Sequence, residues 1–203
     1  MYIPKQFLET NQDEVIAFMK QYSFATIITA KDNFPIATHL PFIISTRGDD
    51  VILTSHFAKA NDHWKDIAVS KALVIFSEPH AYISPKHYDK ELNVPTWNYV
   101  SVHAYGEGLL IADTDKTLEI LEATIKNYEE NYKQQWDSLP TDYKLKMLKG
   151  IVAFEIRITD LQAKKKLSQN KTGAEQKRII DALSKSSNTS EAAIAEYMKR
   201  NEV

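Results

Sequence analysis

Apolar positions along this chain recur with two spacings, and the changes from one to the other outline a mixed α and β protein. Thr10 with Asp13 three residues on forms a capping box. Val15, Ile16, Phe18, Met19 and Tyr22 then make one apolar face, which predicts a first helix. Phe24 to Thr29 and Phe34 to Ser45 read as strands around Lys31-Asp32-Asn33. The run Thr46 to Asp50 turns the second of them into Val51 to Ser55. Further strand-like segments follow at Ala72 to Ser77, His80 to Ser84 and Trp97 to Leu110, with a polar loop from Pro85 to Pro95.

Leu118, Leu121, Ile125, Tyr128 and Tyr132 step by three and four, so residues 114 to 132 predict a long helix with one buried stripe. Gly150 ends a short helix after Pro140. Val152, Phe154, Ile156 and Ile158 alternate with Glu155 and Arg157, the pattern of a half-buried barrel strand. Beyond it, Lys164-Lys165-Lys166 opens a basic stretch leading to two helical segments, 174 to 185 and 190 to 200. Many short strands, few glycines and intervening helices argue for an α+β barrel rather than a parallel sheet. The expected organisation is a barrel domain over 1–160 and a basic loop with a C-terminal helical tail over 161–203.

Composition narrows the chemistry. With no cysteine among 203 residues, disulfides, thiolate nucleophiles and zinc–thiolate or iron–sulfur sites are excluded. The N-terminus lacks a basic segment followed by an apolar run, and no apolar stretch approaches about 18 residues. A soluble, unexported, cytoplasmic protein with no membrane partner is expected. The net charge of −2 conceals an asymmetry: residues 161–203 carry nine Lys/Arg against five Asp/Glu, and residues 1–160 carry 16 against 22. A basic tail on an acidic body suits nucleic acid, a cofactor phosphate or the body of a partner subunit.

The densest chemistry lies between Thr54 and Trp64, where hydroxyls, the Lys59 ammonium and the imidazoles of His56 and His63 collect at a strand exit and helix start. Backbone amides at such a start favour an anion, Thr54 or Ser55 offers a hydroxyl, and Lys59 offers a full charge. No glycine occurs in this stretch, so a Walker loop and a GxGxxG turn are both absent. The same residues also read as a strand ending in an ordinary capped helix with Lys59 solvated. His39, His56, His80 and His103 lie in or beside predicted strands without a compact HxxxH or HExxH pair, and no metal is expected. Pro41, inside a predicted strand, implies an edge or a bulge. Trp97 and Tyr99 share a strand face, fit either for stacking on a planar ring or for packing a dimer. Lys166, Ser168 and Gln169 offer a second polar clamp, or a solvated loop. The terminal helices resemble a helix-turn-helix only loosely, since their connection is long and the second presents Ala192, Ala193, Ile194 and Ala195. No Ser-His-Asp or paired-carboxylate set can be argued from spacing, so catalytic residues are unassigned.

Ala37-Thr38-His39-Leu40-Pro41-Phe42, Ala81 to Pro85, Val94 to Tyr99 and Lys166 to Asn170, in order around the Thr54 to Trp64 stretch, resemble the PaiB-type family of FMN-binding negative transcriptional regulators. The resemblance starts at Met1-Tyr2-Ile3-Pro4 and runs to the C-terminal helices. It implies an FMN-binding split β-barrel, antiparallel and Greek-key-like, similar to the pyridoxamine-phosphate-oxidase fold, with flavin at the interface of a homodimer. On this resemblance Ser55, Lys59, Asn61 and Lys166 are expected to hold the phosphate, Thr54 and His56 to belong to the same cofactor site, and Thr38, His39 and Leu40 to line the ring. Trp97 and Tyr99 would cover the ring from the partner subunit, with Ser168 and Gln169 nearby. Flavin-linked repression is the implied role, with DNA as a weakly supported partner. An FMN-dependent oxidoreductase or flavin reductase using NAD(P)H is the alternative.

Overall fold

The computed structural model describes residues 1–200. The strands are β1 (Leu8–Glu9), β2 (Phe24–Lys31), β3 (Phe34–Pro41), β4 (Ile43–Arg47), β5 (Asp50–Ala58), β6 (Lys71–Ile83), β7 (Thr96–Ile111) and β8 (Ile151–Lys166). They form one sheet in the order β3-β2-β6-β7-β8-β5-β4, with β1 added on β8. The helices are α1 (Gln12–Gln21), α2 (Trp64–Ile67), α3 (Thr114–Tyr128), α4 (Lys133–Ser138), α5 (Thr141–Leu148), α6 (Gly173–Leu183) and α7 (Thr189–Arg200). This is the α+β, antiparallel split barrel that the resemblance implies.

The chain forms two compact units. One comprises Ile16–Phe76 and His103–Leu161; the other comprises Met1–Val15, Ser77–Val102 and the chain from Gln162 onward. In the first, Phe42, Phe57, Phe76 and Phe154 are all fully buried. The Phe42 ring meets Phe76 and Phe154 edge-on at 6.1 and 6.2 Å, and Phe57 stacks on Phe154 at 4.8 Å. The expected strand from Phe34 to Ser45 is broken at Phe42 into β3 and β4, which stand at opposite ends of the strand order. Phe42 makes this corner because its ring enters the core while its N–H donates to the Ser23 carbonyl at 2.8 Å. Pro41, lacking a donor, suits the end of an edge strand. Gly108 on β7 lets the backbone of Ile67 approach, since a Cβ there would fall 2.5 Å from the Ile67 carbonyl oxygen.

In the second unit, β1 pairs with the end of β8 through Leu8↔Lys164 and Glu9↔Ala163. α6 opens with a capping box of Thr172 and Glu175. Ile179, Ile180 and Leu183 of α6 and Ile194, Ala195 and Met198 of α7 are buried. The Ser190 hydroxyl donates to the His80 carbonyl and accepts its N–H, both at 2.8 Å, fixing the start of α7 on β6.

Several boundaries differ from the sequence reading. Asn11, not Thr10, caps α1: its side-chain oxygen accepts the N–H groups of Asp13 and Glu14 at 3.0 and 3.3 Å. The two strands expected between Ala72 and Ser84 are one, β6. Helix α3 ends at Tyr128, and its most buried side chains are Thr117 and Ile120, one residue round from the predicted stripe. The helix α4 was not foreseen. The basic run Lys164-Lys165-Lys166 lies inside β8 rather than in a loop, with Lys164 and Lys165 buried.

Candidate cofactor site

Strand β5 continues three residues past Ser55 because Ala58, Phe57 and His56 pair with Ile151, Val152 and Ala153 of β8. The chain then turns through 59–63, and three amides of that turn have internal acceptors. Lys59 N–H donates to the Gly150 carbonyl at 2.8 Å, Asn61 N–H to Ala58 at 2.9 Å, and His63 N–H to the Asn61 side chain at 3.2 Å. The following helix α2 is a single turn. The amides of Lys59, Asn61 and His63, expected to meet an anion, are thus already occupied, which leaves side chains as the main support for an anion here.

His63 holds the turn in place. Its Nε2 lies 3.0 Å from the Thr29 hydroxyl on β2, its Nδ1 lies 2.9 Å from the Thr38 hydroxyl on β3, and Asn61 Nδ2 donates to Thr38 at 3.1 Å. Burial pushes the imidazole below its usual pKa, with Asp66 opposing in part. The neutral ring has one donor and one acceptor nitrogen, which two hydroxyls satisfy. Thr38 and Asn61, both expected at the site, are therefore brought together, and His63 joins them.

Lys59 stands apart from that network. It is exposed, and its ammonium has no ion-pair partner among the described residues. The neighbouring Asp62 is bound to Lys65 at 2.6 Å, and Asp66 lies 3.8 Å from Lys31. The local acids leave Lys59 uncompensated. It lines a groove of about 580 Å³ with Lys149, Thr114 and Thr117, and with aliphatic walls from Leu145, Leu148 and Val152. No carboxylate among the described residues lines this groove. Lys149 escaped the sequence reading because its position, at the C-terminal cap of α5, carries no local motif.

The remaining residues separate. Ser55 is buried and donates to the Pro41 carbonyl at 2.7 Å, tying β5 to the Phe42 corner. Thr54 faces away from Ser55, as alternation requires. It lines a second groove, about 470 Å³, with Arg47, Glu155, Lys116 and Glu119. His56 is half-buried, and burial lowers its pKa. His39 is exposed on the edge strand β3, its ring stacked on Phe24 at 6.4 Å and 20°. Leu40 is half-buried.

Trp97, Tyr99, Lys166, Ser168 and Gln169 belong to the other compact unit. Trp97 is 52% exposed and lies 5.9 Å from the His80 ring and 5.8 Å from Tyr82. The Tyr99 ring lies under Lys164 Nζ at 5.1 Å. Gln169 is occupied locally, accepting Leu167 N–H at 2.7 Å and donating to the Lys165 carbonyl. Ser168 is buried and donates to Asn98 Oδ1 at 3.1 Å. Lys166 bonds the Thr96 hydroxyl.

A family model described as "Putative FMN-binding domain" matches residues 1–160. The protease synthase and sporulation protein PAI 2 of Bacillus subtilis (strain 168) is 40% identical over 202 residues, covering 98% of this chain and 97% of that one. The chain belongs to this FMN-binding, PaiB-type family. Two solved structures share the fold at 17% identity. The FAD and heme binding protein of Mycobacterium smegmatis has a TM-score of 0.60, covering 78% of this chain and 72% of its own. The flavocytochrome of Azotobacter vinelandii has a TM-score of 0.63, covering 81% and 72%.

The donor set fits FMN. A phosphate monoester carries close to two negative charges at neutral pH and three acceptor oxygens. The Lys59 and Lys149 groove supplies two ammonium groups, hydroxyls and an aliphatic wall without an opposing acid. Among the described residues, no group of three His, Asp or Glu could hold a metal ion, and no helix is long and apolar enough to cross a membrane.

Proposed function

We propose that this PaiB-type protein is a cytoplasmic homodimer that uses FMN as the sensing group of a negative regulator of transcription. The uncompensated Lys59 ammonium, at the end of a turn pinned by His63, carries the cofactor half of this reading. In it, Lys59 and Lys149 take the phosphate, Asn61 and Thr38 shape the approach, and His39 and Leu40 line the ring at the open edge of β3. The Trp97 and Tyr99 pair of a second subunit covers the flavin. A bound flavin supplies hydride or electron transfer at its ring; the protein residues here bind, orient and exclude water.

The regulatory half is supported by the relationship to the Bacillus subtilis protein, whose name links it to protease synthesis and sporulation. α7 itself turns Ile194, Ala195, Tyr197 and Met198 inward, so it does not present a free reading face. The test is a mobility shift on the DNA upstream of the protein's own operon, with and without FMN, across a salt series. Sequence-selective retardation that changes with FMN is expected. Retardation of any DNA, lost at moderate salt, would be electrostatic contact only and would overturn the regulatory reading. NADH consumption under air that depends on added FMN would put an oxidoreductase in its place.

A further inference from the structure

The unit containing α6 and α7 holds a cationic pocket that the flavin reading leaves unused. Strand β8 ends in three successive lysines. Lys165 points to one side and meets Glu9 at 2.7 Å and Glu14 at 3.3 Å. Lys164 and Lys166 fall on the opposite side, where neither meets a carboxylate among the described residues. Lys164 Nζ donates to the Tyr2 carbonyl at 3.2 Å and lies over Tyr99, although the residue is only 7% exposed. Lys166 has the Thr96 hydroxyl alone, and burial together with Lys164 holds its pKa below the usual lysine value. Cations withdrawn from water without a counter-charge are costly, so an anion at this face relieves the structure.

The pocket beside Lys166 has a volume of about 290 Å³. Lys171 stands on its wall, bonded to Asn93 at 3.2 Å, with its Nζ 3.6 Å from the centroid of the Tyr88 ring. Tyr88 also lines the pocket; it is 9% exposed, and its hydroxyl has no hydrogen-bond partner among the described residues. Asn98 and Asn170 add amides, and no Asp or Glu is among the lining residues. Glu175, whose backbone hydrogen bonds hold it below the usual carboxylate range, accepts the N–H groups of Asp89 and Thr172. The floor is tied to both terminal helices: Asn98 contacts Met198 of α7, and Gln176 of α6 donates to the carbonyls of Ser168 and Lys171.

We propose that this pocket binds a small multivalent organic oxyanion, a polycarboxylate or phosphate ester, at a site separate from FMN. Lys166 and Lys171 supply the charge, and Asn170 and the Tyr88 hydroxyl supply directional donors. The volume lies at the low end for ligand pockets, which suits a small metabolite better than a whole flavin nucleotide. Lys171, whose carbonyl accepts from Gln176, gives such a ligand a hold on α6.

The experiment is calorimetric titration of the FMN-loaded protein with citrate and, separately, inorganic phosphate, at ionic strength held constant with sodium chloride. It is repeated on flavin-free protein, so that failure of the FMN assignment leaves the result readable. Saturable binding of one anion per chain is expected, with unchanged flavin content. Preference for citrate over phosphate would mark a carboxylate ligand, and the reverse a phosphate ester. Lys166→Gln and Lys171→Gln should each weaken binding at least tenfold, and Tyr88→Phe a few-fold. Lys171, outside the strand, provides a variant that leaves β8 intact. Heat that never saturates with either anion, or affinity unchanged in Lys171→Gln, overturns the site. Stoichiometric release of FMN on adding the anion also overturns it, because the pocket would then be the flavin's own phosphate seat.

Discussion

His63 Nδ1 lies 2.9 Å from the Thr38 hydroxyl, and its Nε2 lies 3.0 Å from that of Thr29, so one buried imidazole bridges β2 and β3 and fixes the turn that carries Lys59. In the proposed site the histidine would act on the cofactor through another residue. Its surroundings disfavour the imidazolium, because burial outweighs the attraction of Asp66.

That burial predicts a pH dependence. The folded pKa lies below 6.5 and the unfolded one near it, so between the two the unfolded chain binds more protons. Stability is then full above about pH 6.5 and falls as pH drops. Urea midpoints measured from pH 7.5 to 5.5 should decline, with His56 and His103 contributing in the same direction. In His63→Gln the decline should be shallower by a fraction of a proton, although the variant starts less stable. An unchanged slope in that variant would show that His63 does not titrate on unfolding.

Lys59 is a cleaner probe, because its side chain is exposed and, among the described residues, the residue's hydrogen bonds to Gly150 and Trp64 involve its backbone alone. Lys59→Ala should weaken FMN binding by about 1.5–3 kcal/mol, the range for a charge-assisted hydrogen bond, or roughly 10- to 150-fold. The thermal midpoint of the flavin-free protein should stay within about a degree or two of wild type. Flavin fluorescence titration checks the first point and calorimetry the second. Full affinity in the variant would move the phosphate elsewhere.

The strand and helix periods were legible where one face is buried, as in Val152 to Ile158 of β8 and Val15 to Met19 of α1. The corner at Phe42 was not, because an unbroken run of apolar residues looks the same whether a strand continues or crosses to the other end of the sheet. The cationic stretch stood out in sequence, and Asn61 and Thr38 do meet. What sequence could not show is the direction of the donors: Ser55 and the amides of Lys59, Asn61 and His63 look like anion donors until their internal acceptors, Pro41 and Gly150 among them, are seen. Lys149 and Tyr88 depend on contacts distant in the chain and had no local signal.

The Phe42 corner should be the most sensitive point of the barrel. Phe42→Ala removes a fully buried ring that touches Phe76 and Phe154, and large aromatic truncations of this kind cost about 3–5 kcal/mol. Phe42→Leu retains most of the volume and should cost less than half as much. Denaturant titration of both variants checks the order. Equal, small losses would mean that the corner is held by its backbone bonds to Ser23 and Tyr128 rather than by the ring.

Trp97 separates the dimer reading from a purely local role. It is half exposed and flanked by His80 and Tyr82, and its indole N–H has no hydrogen-bond partner among the described residues, so its removal should leave the folded subunit nearly as stable. At the centre of an interface, a tryptophan truncation typically costs 2 kcal/mol or more, about a 30-fold rise in a dimer dissociation constant. Light scattering over a dilution series should therefore show Trp97→Ala dissociating at concentrations where wild type remains dimeric. If the same indole covers the flavin of the other subunit, the quenching of FMN fluorescence on binding should fall in parallel with dimer content. Loss of quenching without dissociation would place Trp97 over the ring of its own subunit. No change in either measurement would return the His80, Tyr82 and Trp97 cluster to an ordinary exposed surface.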